Sequence, residues 1–146
     1  HNKLALLAMI HDIGKIAIPH SILSKPGELG LEEWQIVRKH SEIGYRIAAY
    51  SPELAFLADS ILSHHERWDG KGYPQGLAGE QIPITSRIIA IVDAYDILTH
   101  GRAYRKSVSS KKALEEIGRC AGTQFDPVLV EHFLSLMEVD LLEQAQ

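Results

Sequence analysis

Every long apolar pattern in this chain repeats at helical spacing, and none alternates residue by residue as a half-buried strand does. From Leu31 to about Tyr50 the positions Leu31, Trp34, Val37, Ile43, Ile47 and Ala48 mark one helix face. Leu54, Leu57, Ile61 and Leu62 mark another, after Ser51-Pro52-Glu53 supplies a cap and a first-turn proline. Ile84, Ile88, Ile91, Val92 and Tyr95 form a third stripe, opened by Pro83 and interrupted by Asp93 and Asp96. Further helices are expected from Ser109 to Ala121 and from the pair Asp126-Pro127 to about Met137. Leu4 to His11 reads as the C-terminal part of a buried helix with no N-cap signal ahead of it, so an upstream segment is expected. Ile13-Gly14-Lys15 ends that helix, and a loop runs on through Pro19 and Lys25-Pro26-Gly27. The fold class that follows is all-α, a compact helical bundle.

One segment departs from the pattern. Glu66 to Gln81 holds Gly70, Gly72, Pro74, Gly76 and Gly79, too many breakers for regular structure, and reads as a loop of functional length. The 146 residues fit one domain, and 45% hydrophobic content is enough to bury a core. A net charge of −4 argues against a nucleic-acid polymer or an anionic membrane as partner. The single cysteine, Cys120, excludes an internal disulfide and a thiolate metal cluster and suits a reducing, cytoplasmic setting. Leu4 to Ile10 is too short an apolar run to span a bilayer.

The chemistry lies in the polar residues set into these stripes. His11-Asp12, His40, His64-His65 and Asp93 all fall within or at the end of an apolar helical pattern, where a polar side chain is costly unless paired or bound to a cation. A divalent metal explains the whole set, with imidazole nitrogen and carboxylate oxygen suited to iron, manganese, zinc or nickel. Two ions about 3.5–4 Å apart, with an aspartate between them, would clamp a phosphoryl group for in-line displacement. Lys15 reads equally well as a cation at a helix C-terminus and as a phosphate contact. Arg102, Arg105 and Lys106 form a local positive patch, either a solvated turn or a phosphate grip.

Three motifs in order carry a resemblance: His-Asp-Ile-Gly-Lys at 11–15, His-His-Glu-Arg-Trp-Asp-Gly-Lys-Gly-Tyr-Pro at 64–74, and Asp-Ala-Tyr-Asp-Ile-Leu-Thr at 93–99. They closely resemble the HD-GYP domains, a branch of the HD phosphohydrolase superfamily, over nearly the whole chain. The resemblance implies an HD-domain helical bundle over residues 1–146, without the upstream helix that supplies another ligand in the family. It implies two divalent metals, three where that helix is present, with iron or manganese expected. The implied reaction is hydrolysis of cyclic di-GMP to pGpG or GMP in second-messenger signalling. A binding module without turnover and a phosphohydrolase of another cyclic nucleotide are the alternatives.

Carried over by position, His11, Asp12 and Asp93 resemble the ligands of one metal. Asp12, His40, His64 and His65 resemble those of the second, with Asp12 bridging. Lys15 resembles the lysine beside the scissile phosphate, Tyr73 the residue that stacks on the dinucleotide, and Asp96 an active-site acid. Arg102 and Arg105 resemble phosphate binders. Regulatory domains elsewhere in the full-length protein and a homodimer are the partners the resemblance allows.

Overall fold

The computed structural model describes residues 2–101 and 106–144. Its α-helices are α1 (Lys3–Ile10), α2 (His20–Leu23), α3 (Leu31–Arg38), α4 (His40–Tyr50), α5 (Ala58–Leu62), α6 (Ile84–His100), α7 (Ser110–Arg119) and α8 (Pro127–Gln144). Among the described residues there is no strand, and an isolated bridge between Ala121 and Phe125 is the sole β-type pairing. The expected all-α class holds. No described helix is long and apolar enough to cross a membrane.

Several boundaries differ from the sequence reading, each for a local reason. Asn2 supplies the missing N-cap of α1, its side-chain oxygen accepting from the N–H groups of Leu4 and Ala5. The expected loop after Ile13 is partly wound, into a 3₁₀ turn at Ile13–Ala17 and the single turn of α2. The helix expected unbroken from Leu31 to Tyr50 is two helices, because the Lys39 N–H pairs with the Ile36 carbonyl three residues back and tightens the last turn of α3. The segment after Pro52 begins as turns and a 3₁₀ turn at Ala55–Leu57 before α5 starts at Ala58. At the other end α8 runs to Gln144, beyond Met137.

Two apolar clusters organise the packing. Leu7, Ala48, Leu57, Ala58, Ile61 and Ile89 join α1, α4, α5 and α6, while Ile91, Leu98, Ala113, Ile117, Phe125 and Val130 join α6, α7 and α8. Helix α6 belongs to both and is the beam of the domain. A buried ion pair ties it to α8: Arg87 Nη1 lies 2.7 Å from Asp126 Oδ2, while Asp126 Oδ1 accepts the Val128 and Leu129 N–H groups as the α8 cap. Removing one member of a buried pair leaves a charge that water cannot reach. Arg87→Met is therefore expected to cost about 3 kcal/mol in urea unfolding, and a loss under half of that would show the pair to be dispensable.

Candidate metal centre

Four of the proposed ligands stand one helical turn after a core residue. Leu7 precedes His11, Val37 precedes His40, Ile61 precedes His64, and Ile89 precedes Asp93, all at spacings of three or four. The apolar stripe that buries each of these helices thus carries a polar position one turn on to the edge of the core. The helix break at Lys39 puts His40 at the α3–α4 junction, so His11, His40, His64 and His65 all sit at helix ends.

Three of the histidines are oriented by the same contact. His11 Nδ1 lies 2.9 Å from the Ala8 carbonyl, His40 Nδ1 2.6 Å from the Val37 carbonyl, and His64 Nδ1 2.6 Å from the Ile61 carbonyl. A carbonyl only accepts, so each Nδ1 carries the proton and each neutral ring turns the lone pair of Nε2 inward. The His40 and His64 Nε2 atoms then face each other at 3.3 Å, with Asp12 Oδ1 at 3.3 and 3.7 Å from them.

These are acceptors crowded against acceptors. Asp12 Oδ1 and His11 Nε2 are buried and have no hydrogen-bond partner. Such groups need a cation, and one ligand atom each from Asp12, His40, His64 and His65 lies within 4.8 Å of the others. Donors sharing an ion at bonds of about 2.0–2.2 Å stand roughly 3–3.5 Å apart, close to these separations. The residues therefore fit a divalent metal. A second grouping lies on the other side of Asp12, where His11 Nε2 is 3.7 Å from Asp12 Oδ2 and 3.8 Å from Asp93 Oδ1. The two oxygens of Asp12 face the two groupings.

Electrostatics keeps Asp12, His64 and His65 in their ligating forms. Burial alone would raise the Asp12 pKa, but the Lys15 ammonium, 2.6 Å away, holds it below the carboxylate range. Burial lowers the His64 pKa, and burial with the neighbouring His64 and His40 pushes His65 down to about 2. His11 shifts the other way, because Asp93 and Asp12 outweigh its burial. Since the unfolded chain protonates His65 near 6.5, the unfolded state binds the extra proton as pH falls below that value. Metal-free protein is expected to lose about 1.4 kcal/mol per pH unit there through this group. Urea unfolding of chelated wild type and His65→Gln at pH 7.5 and 5.5 checks it, and equal losses in both would sink the assignment.

The loop at 66–81 places Tyr73 over the site. Glu66, 4% exposed, accepts the backbone N–H groups of Gln75 and Leu77. Gly72 allows the chain to cross itself, since a Cβ there would lie 2.4 Å from the Arg67 nitrogen. Tyr73 consequently stacks on His65 at 4.9 Å, with burial raising its hydroxyl pKa to about 12. A cavity of about 560 Å³ opens beside this group and is lined by Lys15, Trp34, His40, His65, Tyr73 and Asp93 among others.

Asp96 is not part of this arrangement. It is 65% exposed on α6, paired with His100 at 3.1 Å, and does not line the cavity. Arg102 and Arg105 lie outside the described residues. Sequence reasoning missed Glu66 and the α3 residues Trp34 and Arg38 as parts of the site. The signal available for α3 was spacing alone, since Leu31, Trp34 and Arg38 recur on one helix face.

The sequence profile of the HD domain matches residues 1–129, and the chain belongs to that family. A cyclic di-GMP phosphodiesterase of Thermotoga maritima is 43% identical over 92% of this chain and 37% of its own length. A 3'3'-cGAMP-specific phosphodiesterase of Vibrio cholerae is 46% identical over 86% of this chain and 24% of its own. The chain thus spans about a third or less of these relatives. A solved cyclic GMP-AMP-specific phosphodiesterase of V. cholerae shares the fold, with TM-score 0.67 and 24% identity over 92% of this chain and 37% of that one.

Proposed function

We propose that residues 1–146 form an HD-GYP domain that hydrolyses a phosphodiester bond of cyclic di-GMP, giving pGpG or GMP. The observation that carries this reading is the convergence of Asp12, His40, His64 and His65 within 4.8 Å beside a nucleotide-sized cavity. The names of the relatives supply the substrate class, and those named for 3'3'-cGAMP make a mixed cyclic dinucleotide the second reading.

In this reading His11, Asp12 and Asp93 would hold one divalent ion, and Asp12, His40, His64 and His65 the other. Iron and manganese suit a nitrogen and oxygen donor set without thiolate. Bound there, such ions supply Lewis acidity toward a phosphoryl oxygen and lower the pKa of water. Lys15, held by Asp12, turns its remaining N–H groups to a phosphate oxygen as negative charge develops. Tyr73 keeps its proton at neutral pH and offers both a ring face and a hydrogen bond. Arg102 and Arg105 would grip the phosphates of the dinucleotide. We place the reaction in the cytoplasm, consistent with a lone unpaired Cys120, and under the control of regulatory domains or a second copy of the chain.

Protein loaded with iron or manganese is expected to convert cyclic di-GMP to pGpG or GMP, followed by chromatography, with 3'3'-cGAMP run alongside. Absence of product from both dinucleotides, with two metals per chain confirmed by elemental analysis, overturns the proposal.

A further inference from the structure

We propose that one base of the dinucleotide seats on the exposed face of α3 beside Tyr73, and that Arg38 reads its guanine edge, selecting guanine over adenine. This rests on the cyclic-dinucleotide reading above.

Leu31, Trp34, Gln35 and Arg38 stand at i, i+3, i+4 and i+7 and so share one face of α3. That face is exposed, yet it carries two large apolar side chains, Leu31 at 85% and Trp34 at 47% exposure. An arginine in the last turn of a helix is explained by the helix dipole. Leucine and tryptophan bared beside it are not, and neither is the concavity they form. A cavity of about 490 Å³ is lined by these four residues with His65 and Tyr73. It meets the cavity at the metal grouping along Trp34, His65 and Tyr73, which line both. A ligand whose phosphate lies by His65 can therefore extend a planar group past Tyr73 onto α3.

Arg38 is poised for an edge contact. Its guanidinium lies 5.0 Å over the Tyr73 ring, and no carboxylate among the described residues pairs with it. The ring contact occupies a face of the guanidinium and leaves its N–H edge free. Guanine presents two acceptors, O6 and N7, that match a forked donor, whereas adenine places an amino donor at the position of O6. Trp34 supplies stacking surface for either base, so the choice between bases falls to Arg38 and the adjacent Gln35 amide.

The test measures kcat/KM for cyclic di-GMP and cyclic di-AMP in the metal-loaded chain and its Arg38→Ala and Arg38→Lys variants. A good bidentate base contact predicts a fall in the guanine-to-adenine ratio of roughly ten- to a hundredfold in both variants, Lys keeping the charge but not the fork. The position is exposed, so neither substitution disturbs the core. Retained turnover with an unchanged ratio in both variants overturns the subsite and leaves the proposed function standing. No turnover of either dinucleotide by the unaltered chain overturns the proposed function itself, and this subsite with it.

Discussion

Asp12→Asn is expected to empty the centre. Its two carboxylate oxygens face two separate donor groupings, with His40 and His64 against Oδ1 and His11 against Oδ2. Asparagine keeps the volume but loses the charge and turns one ligating oxygen into an N–H donor, which cannot bind a cation and can occupy an imidazole Nε2 lone pair instead. Even groups behind a metal's own ligands cost about 10–100-fold in affinity or activity when removed. A shared ligand should cost more, so turnover is expected to fall by more than about 100-fold. Elemental analysis should give fewer than one metal per chain, against the two expected of the unaltered protein. The fold should survive, because the Asp12 side chain is 30% exposed and asparagine keeps its volume; circular dichroism checks this. Two metals retained in Asp12→Asn would remove the aspartate from the ligand set.

How much of this centre could be read from the sequence follows from where each residue sits relative to its helix. His11, His40, His64 and Asp93 were legible because each is a polar residue within or at the end of an apolar helical pattern, which periodicity alone exposes. The geometry around them was not. The break at Lys39 is invisible in the apolar spacing, which continues from α3 into α4, yet it is what brings His40 to a helix junction. Asp96 interrupts the same apolar stripe as Asp93, but three residues leave a helix about 60° short of a full turn, and that rotation takes Asp96 off the cavity to pair with His100. Glu66 gave no signal because its partners are backbone N–H groups of its own loop, and those depend on a crossing made nine and eleven residues later. The fold class was legible throughout, since no described segment contradicts helical periodicity.

Among the described glycines, Gly14 has the closest backbone approach, and it yields the second large effect. Gly14, in the 3₁₀ turn after Asp12, packs so closely on the first turn of α4 that a Cβ would lie 1.9 Å from the His40 carbonyl oxygen and 2.6 Å from the Gly44 nitrogen. Those neighbours are helix backbone and have no side-chain freedom with which to yield. Gly14→Ala must therefore push the 3₁₀ turn away from α4, and with it Asp12 from His40. The expected result is a loss of at least about 3 kcal/mol, beyond the usual cost of overpacking, together with loss of bound metal. Gly118, in α7, is the internal contrast: its nearest neighbour to an added Cβ is Leu134 Cδ1 at an ordinary 3.6 Å. Gly118→Ala should stabilise the chain by roughly 0.5–1 kcal/mol through helix propensity. Opposite signs for one added methyl group, read by urea unfolding, would show that close backbone approach at Gly14 holds the metal-binding turn in place; similar small effects at both sites would refute it.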